Sequence, residues 1–297
     1  MSVDLDGIDC YHAIHGLPPP DPSSRSLVLR RALPRFLELF ARANVKATFF
    51  VIGSDLADEL DRGGLGAELL REALAAGHEL GNHSHAHAYD LVHWRPELQR
   101  ADLIGCDATL RALGAEPLGF RAPGYTHDAA LLAIVDELGY RYDSSALPSP
   151  SYYAAKVAAI GWHRLRGRRS VSLLGGARSF LGGRAPYRIA NTKLWELPIS
   201  AIGPARWPLV GTFLLAGPAP LRRRLELATK RAPQLHLELH GIDLVDAERD
   251  GVAAPLAQLQ PELRTPLADR RTRLAAFLRD RDGFARLCDV AAELREA

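Results

Sequence analysis

The stretch HELGNHSHAH, residues 78–87, places four histidines within ten residues. The neutral imidazole of histidine is the commonest side-chain ligand for metals in proteins. We therefore interpret this stretch as a candidate metal site, with a polar surface loop as the alternative. The stretch alone leaves open which of the histidines are ligands.

Strands and helices alternate on both sides of the histidine stretch. HELGNH predicts a strand that ends at the histidines, and KATFFVIG (46–53) predicts a buried strand before it. Further strands are predicted at 2–6, 117–124, 140–145, 192–200 and 234–241. One helix is predicted to begin at about Pro34. Further helices are predicted over 65–77, 95–114, 126–138, 265–280 and 284–295, and a loop is predicted at 7–25. Such alternation favours a mostly parallel sheet, and a barrel fits this length.

The composition is that of a globular protein, with 297 residues, 47% of them hydrophobic, and a net charge of +2. No apolar run reaches the roughly 18 residues of a membrane span. The three cysteines lack CxxC spacing, and residues 1–20 lack the pattern of a signal peptide. We expect one cytoplasmic domain over 1–297.

Polar residues collect where the predicted strands end. In a parallel (β/α) barrel the carboxyl ends of the strands carry the chemistry. The side chains at these positions are Asp4, Asp6, His83, His87, Arg121, Asp143 and His240. Their shared position is the strongest argument from residues alone for a functional site.

Several motifs together resemble the polysaccharide deacetylase family, the NodB-homology or carbohydrate esterase family four domain. GHELGNHSHAH (77–87) matches the signature histidine motif of that family. ATFF (47–50), FRAPGY (120–125), YDSS (142–145) and LELH (237–240) match further family segments in the same order. The resemblance is dense over 2–145 and weak over 150–225. It implies an α/β fold, a distorted (β/α) barrel of about seven strands.

The resemblance also implies a metal-dependent amide hydrolase. Its metal ligands would be Asp6, His83 and His87, which leave a coordination position open, as catalytic zinc sites do. His240 would be the general acid, with Asp143 as its carboxylate partner, and Arg121 would orient the base. His78 and His85 have no counterpart in the family's mechanism, and we expect His78 to be structural. Zinc is the expected metal, with cobalt, nickel or manganese as alternatives.

The first motif departs from the family pattern of adjacent aspartates. The stretch VDLDG (3–7) has Leu5 where the family has its catalytic base. Asp4 and Asp6 share one face of a strand because strand side chains alternate, so Asp4 could serve as base or support it. Glu238, on the same face as His240, and Asp9 in the next loop are the alternatives.

A basic, aromatic-containing insertion occupies about 147–225. Between residues 151 and 210 it has one acidic residue, Glu196, and these ten basic residues: Lys156, Arg164, Arg166, Arg168, Arg169, Arg178, Arg184, Arg188, Lys193 and Arg206. Such a stretch fits either a solvated face or a surface that contacts anionic lipid or a phosphate-bearing substrate. We expect no nucleic-acid partner, because the cations do not lie on a recognised nucleic-acid fold.

These observations predict a hydrolase that removes an N-acyl group, acetyl or formyl, from an amino sugar. A cytoplasmic location favours a nucleotide-linked or lipid-phosphate-linked sugar, and a membrane-peripheral position is compatible with the insertion. Two alternatives stay open: deacylation of a small non-sugar amide, and a pseudoenzyme that binds metal or carbohydrate without turnover.

Overall fold

The centre of the protein is an eight-stranded sheet. A computed structural model describes residues 1–174, 177–230, 232, 234–281 and 283–296, without the side chains of residues 177 and 178. The strands are β1 (Ser2–Asp4), β2 (Thr48–Val51), β3 (Glu79–Asn82), β4 (Gly119–Phe120), β5 (Tyr142–Asp143), β6 (Tyr187–Arg188), β7 (Trp195–Glu196), β8 (Ala201–Ile202), β9 (Trp207–Pro208) and β10 (Glu238–His240).

The strand order of the main sheet is β10-β1-β2-β3-β4-β5-β7-β6, and β8 pairs with β9 in a separate hairpin. Neighbours pair in parallel except β6, which is antiparallel to β7. Seven parallel strands with one antiparallel edge strand confirm the predicted α/β sheet of about seven strands.

The sheet curls strongly around its interior. Strands β1 and β4 are three positions apart, which is about 14 Å in a flat sheet with ~4.8 Å between strands. Arg121, just after β4, nevertheless reaches Asp4 of β1 with a 2.5 Å hydrogen bond. Beyond the other end of the parallel run, the Ser200 N–H donates to the His236 carbonyl at 3.1 Å, which links the chain after β7 to the chain before β10. The predicted distorted barrel is therefore confirmed.

Twelve helices are present in the described part of the chain. They are α1 (Ile8–Ile14), α2 (Leu33–Arg42), α3 (Gly53–Asp61), α4 (Leu65–Ala75), α5 (Pro96–Leu113), α6 (Ala129–Glu137), α7 (Pro150–Leu165), α8 (Ala177–Leu181), α9 (Ala219–Thr229), α10 (Ala254–Leu259), α11 (Leu267–Arg279) and α12 (Leu287–Glu296). The helix predicted near Pro34 is α2, with a π-helical turn (Val28–Ala32) before it. None of the described helices is both long and apolar enough to cross a membrane.

The loop predicted at 7–25 was wrong in its first half, where α1 forms. Ile8 and Tyr11 of α1 are buried in the main core beside Leu5 and Val28. A helix of seven residues is unstable alone, so this packing stabilises it rather than local propensity. The prolines at 18, 19, 20 and 22 directed the prediction toward a loop, although they follow the helix. As a result, α1 is placed over the carboxyl end of β1.

Candidate active site

Asp6, His83 and His87 converge at the carboxyl ends of β1 and β3. The Asp6 Oδ1 atom lies 3.2 Å from His83 Nε2 and 3.4 Å from His87 Nε2. All three side chains are buried, and their potential ligand atoms lie within 4.8 Å of one another. The structure therefore brings together the three residues that the sequence nominated as metal ligands.

The two histidines are oriented by their other ring nitrogens. His83 Nδ1–H donates to the backbone carbonyl of Arg121 at 2.8 Å, so Nε2 is the ring nitrogen that faces Asp6. His87 Nδ1 contacts Cys10 Sγ of α1 at 3.3 Å. Such outer contacts fix the tautomer and direction of a metal-binding imidazole.

The turn between the histidines is held in an uncommon backbone conformation. Ser84 has φ 63° and His87 has φ 48°, both in the left-handed region that non-glycine residues seldom adopt. The carboxylate of Asp102 accepts from the backbone N–H groups of residues 85 and 86, and Ser84 Oγ accepts from the His87 N–H at 2.9 Å. These bonds stabilise the turn that aims His87 at Asp6.

The donor set fits a divalent transition metal. Asp6 Oδ1 and His87 Nε2 are buried but have no hydrogen-bond partner of good geometry within the described structure. Buried polar atoms are normally satisfied, so two unpaired atoms that face each other fit a site at which both would bind one metal ion. Burial raises the pKa of Asp6, but His87 and His83 outweigh it and hold that pKa well below its ordinary value. One carboxylate and two imidazoles suit zinc, cobalt, nickel or manganese.

Asp4 reaches the site from one layer deeper, as predicted from the alternation along β1. Its Oδ1 accepts from Arg121 at 2.5 Å, and its Oδ2 lies 3.7 Å from His83 Nε2. Arg121 is fully buried with its guanidinium 4.3 Å from the centre of the Phe50 ring. Asp4 and Arg121 thus form a buried ion pair. Asp9, an alternative base, lies apart and faces Arg25 at 3.3 Å.

His240 lies across the site, at the end of β10, with Glu238 as its carboxylate partner. His240 Nδ1 is 3.1 Å from Glu238 Oε1, and its Nε2 is 3.4 Å from Tyr125 Oη. Burial alone would lower the pKa of His240, but the carboxylates of Glu238, Asp6 and Asp4 outweigh that effect and raise the pKa to about 9. His240 is therefore protonated at neutral pH, as a general acid must be before it acts.

Asp143 does not pair with His240 among the described residues, so that prediction was wrong. Ser145 donates to both Asp143 oxygens, from Oγ at 2.6 Å and from its backbone N–H at 3.2 Å. Glu196 of the next strand lies against Asp143, and burial and Asp143 raise the pKa of Glu196. Glu238 takes the expected place of Asp143 because residues 238 and 240 project from the same face of β10.

Four of the candidate residues form the floor of one cavity of about 550 Å³. Asp4, Asp6, His83 and His240 line that floor. Tyrosines form much of the wall above them, with one face of α7 beyond; the tyrosines are Tyr11, Tyr89, Tyr125 and Tyr152. None of these four tyrosines was predicted from the sequence to line the site. The FRAPGY motif contains Tyr125 and could have indicated that one.

The residues just described lie in and around a recognisable family segment. A family model described as "Polysaccharide deacetylase" matches residues 24–142, which include His83, His87 and Arg121. Residues 24–142 of this chain are therefore similar to the polysaccharide deacetylase family. The match does not extend to Asp6 or His240, which the fold brings to the same site.

Two curated deacetylases are similar to part of the chain. A chitin deacetylase of Colletotrichum lindemuthianum is 32% identical over 124 residues, 40% of this chain and 47% of that protein. A peptidoglycan deacetylase of Helicobacter pylori is 24% identical over 147 residues, 49% of this chain and 48% of that protein. The chain thus spans about half the length of the curated relatives it matches.

Two solved structures share the fold over nearly the whole chain. A Mycobacterium smegmatis protein assigned as a polysaccharide deacetylase has a TM-score of 0.63 and 19% identity, covering 100% of this chain and 89% of its own. A Pseudomonas aeruginosa protein with the same assignment has a TM-score of 0.57 and 18% identity, covering 98% and 82%. These similarities extend the deacetylase-like fold through β10 and the insertion.

Two other histidines of the deacetylase motif lie away from the cavity. His78 Nδ1 accepts from the Ala47 N–H at 3.1 Å, and its ring packs on Phe49. Burial lowers the pKa of His78 to about 4, so it is neutral and apolar in behaviour. His85 packs over Gly53 and Gly105, at the back of the turn. Neither His78 nor His85 was predicted to bind the metal, and both placements agree with that prediction.

The insertion places most of its cations at the surface. Arg166 stacks on the half-exposed Trp162 at 4.2 Å, and Arg188 stacks on Trp195 at 4.7 Å. The Arg178 side chain lies outside the described residues. Lys156 differs from the surface cations because it lines the cavity.

Proposed function

We propose that this chain hydrolyses the amide bond of an N-acylated amino sugar, releasing acetate or formate. One observation carries the proposal: the candidate metal ligands Asp6, His83 and His87 converge beside a cavity whose floor also holds Asp4 and His240. The curated relatives named as chitin and peptidoglycan deacetylases support the choice of an acetylated amino sugar.

Asp6, His83 and His87 would hold a divalent metal, with zinc as the expected ion. When bound, such an ion supplies Lewis acidity toward the amide carbonyl and the attacking water. The side chains Asp4 and His240 supply the proton transfers. Amide cleavage requires a base for the water and an acid for the departing amine, since an amine leaves poorly as an anion.

Asp4 is the proposed base. Arg121 holds Asp4 in place through a hydrogen bond, and the Asp4 carboxylate would accept a proton from the attacking water. His240 is the proposed acid and donates its proton to the leaving nitrogen. Tyr125 Oη donates to Glu238 at 3.1 Å and thereby fixes the carboxylate that keeps His240 protonated.

A second candidate function is binding without turnover, and Leu5 is the observation that favours it. Leu5 occupies the family's base position and is 1% exposed in the main core. If Asp4 cannot replace that base, the site binds metal and saccharide but does not cleave the amide. A cytoplasmic location and a peripheral contact with anionic lipid stay predictions.

The test begins with elemental analysis of purified protein after incubation with zinc and dialysis. We expect about one ion per chain, lost in Asp6→Ala and His83→Ala. His93→Ala, which removes an exposed histidine outside the cluster, is the matched control and should keep the ion. Absence of bound metal in the unaltered protein would refute the metal site.

The second measurement is release of acetate or formate from N-acetylated and N-formylated amino sugars, with simple N-acyl amides in parallel. Turnover of the sugars that disappears in Asp4→Asn and His240→Gln supports the proposal. Bound metal with no release from any compound would favour the binding protein. Release from the simple amides alone would favour a small-amide deacylase.

A further inference from the structure

The cavity above the candidate active site has an uneven distribution of charge. Its described lining contains two carboxylates, Asp4 and Asp6, and both are on the floor. The rest of the lining combines apolar side chains with cations and neutral donors: Lys156, Arg264, His15, His163, Ser170 and Ser172. A ligand that reaches from the floor to the mouth therefore meets cations and neutral donors above the floor, and no further carboxylate of the described lining.

Lys156 lines the cavity beside Gly124, and one hydrogen bond links its ammonium group to the described protein. It lies half-buried on α7, with Tyr152 and Ile160 one turn away on either side. Its Nζ donates to the Gly124 carbonyl at 3.3 Å, and it forms no ion pair with any described carboxylate. A lysine has three donors, so two lack a protein partner. Burial lowers the pKa of Lys156 to about 8, which leaves the ammonium as the main form at neutral pH.

Lys156 is separated from the proposed catalytic groups by one layer of side chains. Gly124, its hydrogen-bond partner, directly precedes Tyr125, which contacts Glu238 and His240. A Cβ on Gly124 would lie 2.7 Å from the Tyr89 ring, and Tyr89 packs on His87 with 5.1 Å between ring centres. One saccharide can therefore place its amide bond at the proposed catalytic groups and a neighbouring substituent at Lys156.

Building on the proposed function, we propose that Lys156 binds an anionic group, phosphate or carboxylate, of the acylated amino-sugar substrate. Lys156 is then a specificity-determining residue that selects charged saccharides over neutral ones. A half-buried ammonium without a counterion gains a charge-assisted hydrogen bond from such a group. The cavity volume of about 550 Å³ is that of a site for one small ligand.

A purely structural role for Lys156 makes a different prediction. In that case the lysine ties α7 to Gly124, and its replacement changes stability or the affinity for all saccharides equally. Lys156→Met removes the charge with similar length, and Lys156→Arg keeps it. Arg164→Met, on the exposed part of the same helix and outside the cavity lining, is the matched control.

The experiment measures binding of product-like probes to zinc-loaded protein by titration calorimetry at pH 7. The probes are glucosamine 1-phosphate, muramic acid as the carboxylate form, and neutral methyl glucosaminide. We expect the unaltered protein to bind at least one anionic probe about tenfold more tightly than the neutral one. The better of the two anionic probes identifies the source of the charge. Lys156→Met should abolish the difference, while Lys156→Arg and Arg164→Met keep it.

Equal affinity for charged and neutral probes, or a preference that persists in Lys156→Met, would overturn the proposal. Circular dichroism establishes that each variant is folded, and Lys156→Gln replaces the methionine variant if that one unfolds. Failure here is distinguishable from failure of the proposed function. Turnover without anion preference removes the role of Lys156 alone, while anion preference without turnover removes the hydrolase.

Discussion

The buried pair of Asp4 and Arg121 gives a prediction about stability that is independent of turnover. Asp4 is 1% exposed and Arg121 is 0% exposed. Arg121 also donates to Ser144 and to Ser2, so the guanidinium cannot move to water when Asp4 is neutralised. Asp4→Asn keeps the shape of the side chain but leaves a buried cation without its counterion.

The expected cost follows from that burial. Removing one partner of a buried ion pair destabilises a protein by about 3–5 kcal/mol, so Asp4→Asn should lower the free energy of unfolding by about that much. Asp280→Asn is the matched control, since Asp280 pairs with Lys230 at the surface, where both side chains are more than half exposed. An exposed pair contributes about 0–1 kcal/mol.

The assay is urea unfolding followed by circular dichroism, with EDTA in every sample so that metal binding does not contribute. Free energies come from linear extrapolation to zero urea. The double variant Asp4→Asn with Arg121→Met removes both charges. We expect its loss of unfolding free energy to be about 2 kcal/mol smaller than the sum of the losses in the two single variants. A cost for Asp4→Asn no larger than that of Asp280→Asn would refute the description of the pair as a buried, mutually dependent unit.

Three further predictions follow from particular contacts. Glu238→Gln removes the main group that raises the pKa of His240 from its ordinary value to about 9. The alkaline limb of kcat/KM should therefore move to lower pH, and an unmoved limb would exclude His240 as the acid. Gly211→Ala should lower the urea midpoint, because the added Cβ would overlap the Asp243 carboxylate; an unchanged midpoint would contradict this tight contact. His78 has a folded pKa of about 4 against an ordinary 6.5, so its contribution to stability is complete above pH 6.5 and falls as the pH drops toward 4. The free energy of unfolding in urea should fall less between pH 7 and pH 4.5 for His78→Gln than for the unaltered protein. Equal falls would exclude His78 as a source of the pH dependence.

The sequence predicted the sheet from its alternating pattern, and the resemblance to the deacetylase motifs predicted the candidate metal ligands. Alternating strands and helices predict a parallel sheet, and parallel strands align their carboxyl ends at one edge. Asp6, His83 and His87 occupy that edge by their positions along the chain, so their convergence needed no knowledge of side-chain packing. The same alternation predicted correctly that Asp4 points to the face that carries Asp6.

Side-chain partners across the barrel were beyond what the sequence determines. Asp143 and Glu238 are both carboxylates near strand ends, and the strand pattern does not specify which one contacts His240. That choice depends on which strands pair: Asp143 lies beside Glu196, its register partner on β7, and Glu238 shares β10 with His240.

The sequence by itself determined the elements and the edge at which the functional residues lie, because local periodicity and motif order encode them. Tertiary structure alone decided that α1 packs over the candidate metal ligands, that Arg121 crosses the interior to Asp4, and that Lys156 of the insertion lines the cavity. Each of these contacts joins residues far apart in the chain. Their distances follow from packing and curvature, which no short stretch of sequence contains.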